Sequence, residues 1–128
     1  MDIRWIIKRK LYYKRILKGD EWMQRYAWKG HIKEGMLEEY IRRHNSEFWP
    51  EMREALTKAG IHNYSIWNVG NEVFGYLECD ESVETSLQIQ SECEVVKKWN
   101  LHMSDILIKE IDEKTGKPYV LKQVFLHK

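Results

Sequence analysis

The sequence is poor in the residues that announce several common chemistries. Its two cysteines, Cys79 and Cys93, are too few for a disulfide framework and lack the paired spacing of a metal site. They are expected to be free thiols in a reducing compartment, which implies a cytoplasmic location. No apolar run approaches the ~20 residues that cross a bilayer, so no membrane partner is expected. The 21 Lys and Arg nearly balance 20 Asp and Glu, leaving no global field for nucleic acid. There is no glycine-rich phosphate loop, GxSxG elbow or CxxC pair. The five histidines show no HxxxH or HxH pairing, so no metal ligands are expected. Glu38-Glu39 and Glu51 with Glu54 read as solvated helix faces rather than the acid pair of a glycosidase.

What remains suits one folded domain: 128 residues, 43% of them apolar and 32% charged, enough to bury a single core. The charge is unevenly spread. Residues 1–22 hold seven Lys/Arg and three acids, a net of +4; the other 106 hold 14 and 17, a net of −3. Such a basic, Trp-containing stretch could be a nucleic-acid arm or a surface helix. Another reading fits better. Lys18-Gly19-Asp20-Glu21-Trp22-Met23 can be encoded as AAAGGAGATGAATGGATG, which sets a purine-rich ribosome-binding run just before the Met23 codon. Residues 1–22 are thus expected to be a translated leader, with a helical or disordered arm as the alternative. Residues 23–128 form the domain.

Apolar and polar residues roughly alternate from Gln24 to Lys33, with Tyr26, Trp28, Gly30 and Ile32 on one side, as in a half-buried strand. Leu37, Tyr40, Ile41 and His44 then follow the spacing of one helix face. Pro50 suits the first turn of a second helix, continued inward by Met52, Leu56 and Ala59 and capped at Gly60. Asn63–Trp67 and Val73–Cys79 are strand-like around a turn at Asn68-Val69-Gly70-Asn71. Ser91 with Glu94 matches a capping box, predicting a helix with Val96, Trp99, Met103 and Ile106 on one stripe. A polar turn over Asp112–Pro118 and a last strand over Tyr119–Leu126 complete the order β-α-β-β-α-β. That is the ferredoxin-like α+β arrangement, a four-stranded antiparallel sheet with helices on one face. Its aromatic open face needs cover, which predicts a homodimer.

Tyr40 and His44 lie four residues apart and project from one helix face. His44 ends its helix before an irregular connection, where a ligand can reach it and where it titrates near neutrality. A surface histidine favoured by the helix dipole is the alternative. Tyr64 shares a strand face with Ile66 and fits either a core tyrosine or a ligand contact. Trp99 lies on an inward stripe, where core packing is the commoner role. Six Trp and seven Tyr are nevertheless many, and aromatic rings with a few polar groups suit small-ligand pockets such as those for sugars.

Five ordered segments resemble the L-rhamnose mutarotase family: Tyr40-Ile41-Arg42-Arg43-His44-Asn45, Trp49-Pro50-Glu51, Gly60-Ile61-His62-Asn63-Tyr64, Lys98-Trp99 through Met103-Ser104-Asp105, and Leu121-Lys122-Gln123-Val124-Phe125. The resemblance runs from about Met23 to the C-terminus. It implies a dimeric α+β barrel, a monosaccharide substrate and no cofactor. It places the family's proton-transferring histidine on His44, its sugar-contacting tyrosines on Tyr40 and Tyr64, and the first of two tandem tryptophans on Trp99. The second tryptophan position is Asn100, a departure that loosens the implied sugar to L-rhamnose or a related 6-deoxy sugar such as L-fucose. Anomers interconvert through the open-chain aldehyde, and a neutral imidazole can give and take both protons. Because this reaction already proceeds in water, it needs neither metal nor nucleotide. A non-enzymatic sugar-binding module and a cofactor-free monooxygenase on the same fold are the competing classes.

Overall fold

The computed structural model describes residues 23–128; the expected leader over residues 1–22 lies outside the described residues. The alternation read from Gln24 onward forms strand β1 (Gln24–Ile32), with Gly30 and Ile32 fully inside. Helices α1 (Leu37–His44) and α2 (Pro50–Lys58) follow, the latter starting on Pro50. After α2, Gly60 takes the left-handed conformation (φ 75°) that a Cβ would oppose. Strands β2 (Ile61–Val69) and β3 (Glu72–Cys79) form the expected hairpin. In β3, Val73, Gly75, Leu77 and Cys79 are buried and every intervening residue is not, the period-two signature of a sheet with one covered face.

The single helix expected after the hairpin is two: α3 (Val83–Glu92) and α4 (Glu94–Met103). Ser91 is therefore not a cap. Its hydroxyl donates to the Gln88 carbonyl inside α3, and Cys93, in extended conformation, separates the helices. The cap belongs to Ser82, whose hydroxyl accepts from the Thr85 N–H at 3.0 Å. α4 carries the predicted inward stripe of Val96, Trp99 and Met103, and Ile106 is buried just beyond its end.

The fourth strand also differs from expectation. Two short segments share the free edge of β1: β4 (Leu107–Ile108) pairs with His31 and Ile32, while β7 (Val120–Leu121) pairs with Ala27 and Trp28. Between them projects a small hairpin, β5 (Ile111–Asp112) with β6 (Lys117–Pro118), around the predicted polar turn. Past Leu121 the chain makes no further strand. The sheet order β2-β3-β1-β4, antiparallel throughout, is that of the ferredoxin-like α+β fold.

One core joins the inner sheet face to the helices through Ile32, Tyr40, Met52, Val73, Val96, Trp99, Met103 and Ile106. On the outer face the register brings Trp67 beside Phe74, and Tyr76 between Ser65 and Ala27. No described helix packs there, and Trp67 is 69% exposed.

Candidate active site

The last turn of α1 carries Arg42, Arg43 and His44, and the two arginines are cations that favourably meet the negative end of the helix dipole. Arg43 fastens this turn to the end of α4. Its guanidinium donates to the His102 carbonyl at 2.8 Å and to the Asp105 carboxylate at 3.0 Å, and its Nε donates to Glu39 at 2.9 Å. The bond from Arg43 holds the Asp105 carboxyl below the usual carboxylate range. The turn that presents His44 is thus clamped from two helices.

His44 Nδ1 lies 2.9 Å from the Tyr40 carbonyl oxygen. A carbonyl can only accept, so Nδ1 carries the hydrogen and the neutral ring keeps its lone pair on Nε2. The imidazole is walled by aromatic rings: Tyr40 at 4.3 Å, Phe48 stacked at 6.1 Å and Trp99 edge-on at 5.3 Å. Desolvation by this wall lowers its pKa below 6.5, against a smaller upward pull from the Tyr40 carbonyl. Burial penalises the charged form. At neutral pH His44 is a base with one nitrogen available.

Tyr40 is 4% exposed, and among the described residues its hydroxyl has no hydrogen-bond partner. A buried, unpaired polar group costs about 1–3 kcal/mol and calls for an explanation. The explanation is its position: Tyr40 and His44 together line a cavity of about 80 Å³, with Asn45, Ile66, Asn68 and Val73. Burial, then the nearby Tyr64, raise the Tyr40 pKa well above the ordinary tyrosine value, so its O–H remains a donor.

Tyr64 is set by an irregularity in β2. Ile61 and His62 pair with Cys79 and Glu78, but Ser65 pairs with Tyr76, so Asn63 and Tyr64 together oppose Leu77. This β-bulge restarts the alternation. It lets Ile61, Tyr64 and Ile66 all take the inner face, while Asn63, at φ 48°, reaches Glu78 at 2.8 Å. Although 36% of the Tyr64 residue is exposed, its hydroxyl end accepts a bond from the Trp28 indole N–H at 2.9 Å. Burial pushes its pKa up to about 12, with the Trp28 bond opposing.

The structure gathers Tyr40, His44, Tyr64 and Trp99 on the inner side of the sheet, but only Tyr40 and His44 line the cavity; Tyr64 lies near Tyr40 outside its lining. Trp99 is 7% exposed, packed against His44, Phe48 and Trp49 rather than lining the cavity. Asn100 is exposed on α4 and does not line it either. Sequence reasoning missed Trp28, Asn45 and Asn68. Trp28 lies on the strand face that the alternation predicts, but its partnership with Tyr64 depends on register and bulge. Among the described residues no group of His, Cys, Asp and Glu is arranged to hold a metal ion, and no helix is long and apolar enough to cross a membrane.

The profile of one family, described as L-rhamnose mutarotase, matches residues 25–127. The chain belongs to the L-rhamnose mutarotase family. The L-rhamnose mutarotase of Lachnoclostridium phytofermentans is 39% identical over 87 residues, which are 66% of this chain and 81% of that relative. The one from Rhizobium johnstonii is 36% identical over 92 residues, 70% of this chain and 84% of the relative. Among solved structures, the L-rhamnose mutarotase of Formosa agariphila aligns with a TM-score of 0.63 at 27% identity. That alignment covers 82% of this chain and 99% of the other. Family membership thus coincides with a cavity offering one basic nitrogen beside the protonated phenol of Tyr40, with that of Tyr64 close to Tyr40.

Proposed function

We propose that this chain is an L-rhamnose mutarotase, interconverting the α and β anomers, with His44 as the proton carrier. The observation that carries the reading is the pairing of a desolvated His44, lone pair on Nε2, with a buried Tyr40 hydroxyl that has no partner among the described residues, both on one cavity. Nε2 takes the proton from the anomeric hydroxyl as the bond from the anomeric carbon to the ring oxygen breaks. The resulting imidazolium delivers that proton to the ring oxygen, leaving the open-chain aldehyde and a neutral His44. Rotation about the bond next to the carbonyl exposes its other face, and the same transfers in reverse close the ring. The O–H groups of Tyr40 and Tyr64 donate to sugar oxygens and steady the charge that develops on the ring oxygen. Trp99 acts from behind, as the wall that desolvates His44.

Residues 23–128 form the catalytic domain, active as a cytoplasmic homodimer. The inner-face cavity of about 80 Å³ belongs to one copy, and a second copy packs on the opposite face of the sheet. The outer face of Trp67, Phe74 and Tyr76, with the exposed Val124 and Phe125 of the C-terminal tail, is the surface for that copy. This pairing makes the dimeric α+β barrel. The free thiols of Cys79 and Cys93 agree with a reducing compartment.

Saturation-transfer NMR on equilibrated sugars tests the assignment. Faster exchange between the anomeric protons of L-rhamnose is expected on adding the protein. Exchange accelerated for L-fucose and not for L-rhamnose would move the substrate to another 6-deoxy sugar, in line with Asn100. Ligand-induced tryptophan fluorescence change without faster exchange would instead mean a sugar-binding module.

A further inference from the structure

Trp28 stands outside the residues that the family resemblance assigns, yet it bonds to one of them, Tyr64. Its indole lies over Gly75 of the neighbouring strand, the cross-strand partner in the β1–β3 ladder. A Cβ at Gly75 would overlap that ring, so the strand carries glycine where the indole needs room. From this seat Nε1–H donates to the Tyr64 hydroxyl oxygen at 2.9 Å. An indole nitrogen can only donate. The bond therefore occupies a lone pair on Tyr64 and leaves its single hydrogen to go elsewhere. Among the described residues no protein acceptor receives that hydrogen.

We infer that Trp28 is a positioning residue that, seated over Gly75, fixes the Tyr64 hydroxyl as a hydrogen-bond donor to a sugar oxygen. Three features of different origin converge on that one oxygen. The bulge at Asn63 puts Tyr64 on the inner face, Gly75 makes space for the indole, and the indole fills the acceptor side. Without the indole N–H, the hydroxyl could turn and accept from the sugar, losing its fixed polarity. The inference rests on the mutarotase reading and adds a residue to it.

A double-mutant cycle tests it, since only residues acting through one another are non-additive. Trp28→Phe keeps a flat ring over Gly75 and removes only the N–H. In the Tyr64 background it is expected to lower kcat/KM for anomer exchange about tenfold, the scale of one hydrogen bond. In the Tyr64→Phe background the same change should cost less than about twofold. Equal losses in both backgrounds would overturn the inference, because a merely structural Trp28 would act on either. A second readout needs no turnover. The Trp28 indole N–H resonance, identified by its loss in Trp28→Phe, should move upfield in Tyr64→Phe; an unmoved resonance would equally reject the bond. A wild-type protein that accelerates no sugar's exchange would contradict the mutarotase reading alone, and the indole shift would still decide the role of Trp28.

Discussion

The His44 ring donates from Nδ1 to the carbonyl oxygen of Tyr40, one helical turn earlier, at 2.9 Å. The i, i+4 spacing does more than put two side chains on one face. It uses the backbone of one site residue to choose the tautomer of the other, and so directs the basic nitrogen away from the helix.

That tautomer and its desolvation set the pH behaviour. The His44 pKa lies below 6.5, so the active neutral form persists at neutrality. kcat/KM for anomer exchange should level off toward neutral and alkaline pH and fall on the acid side, through a limb below the ordinary histidine value. The same shift acts on stability. Below pH 6.5 the unfolded chain takes up the proton first, so this group's contribution to stability declines as pH falls through that window. A rate profile with its acid limb above 6.5 would mean that another group titrates.

Gly75 is expected to tolerate nothing larger. Gly75→Ala forces the Trp28 indole from its seat and should cost about 1–3 kcal/mol, the range for overpacking a core. Urea denaturation would measure it. An unchanged midpoint would show that the indole has another place to go.

Asn63 holds the bulge with a left-handed backbone (φ 48°). Asn63→Gly should leave the fold and the exchange rate close to wild type, because glycine adopts this conformation freely. Asn63→Val should lose about 1–3 kcal/mol of stability and depress exchange by turning Tyr64 off the inner face. Thermal unfolding and exchange rates of the two variants, side by side, separate the backbone's contribution from that of the amide. Equal behaviour of both would remove the bulge from the account.

The outer sheet face makes a prediction about assembly. A charge at its centre, as in Phe74→Glu or Trp67→Glu, should convert a dimer to a monomer in light scattering, because an interface core excludes unpaired charge. A dimer that survives both substitutions would place the contact elsewhere on the molecule.

Much of this was legible in the sequence wherever local pattern and tertiary role agree. The alternation of β1, the stripe of α1, Pro50 opening α2 and Gly60 ending it all express short-range physics, and so does the Tyr40–His44 spacing. The rest depends on partners distant in sequence. α3 buries only Ser86, so it has no apolar stripe to announce it, and its Ser82–Thr85 cap lacks the acidic residue that flags a capping box. The fourth strand is divided because a polar hairpin interrupts it. That the indole of Trp28 meets the hydroxyl of Tyr64, 36 residues away, follows from register and bulge, which no window of sequence contains. The raised pKa of Tyr40 likewise comes from burial.

The most direct test of the central claim compares L-rhamnose anomer exchange by wild-type protein and by His44→Ala, each first shown to be folded by circular dichroism. If His44 carries the proton, the wild type speeds exchange and the variant loses most of that acceleration, about 10²–10⁴-fold for a general acid–base group. A folded His44→Ala protein that still exchanges the anomers at the wild-type rate would contradict the account.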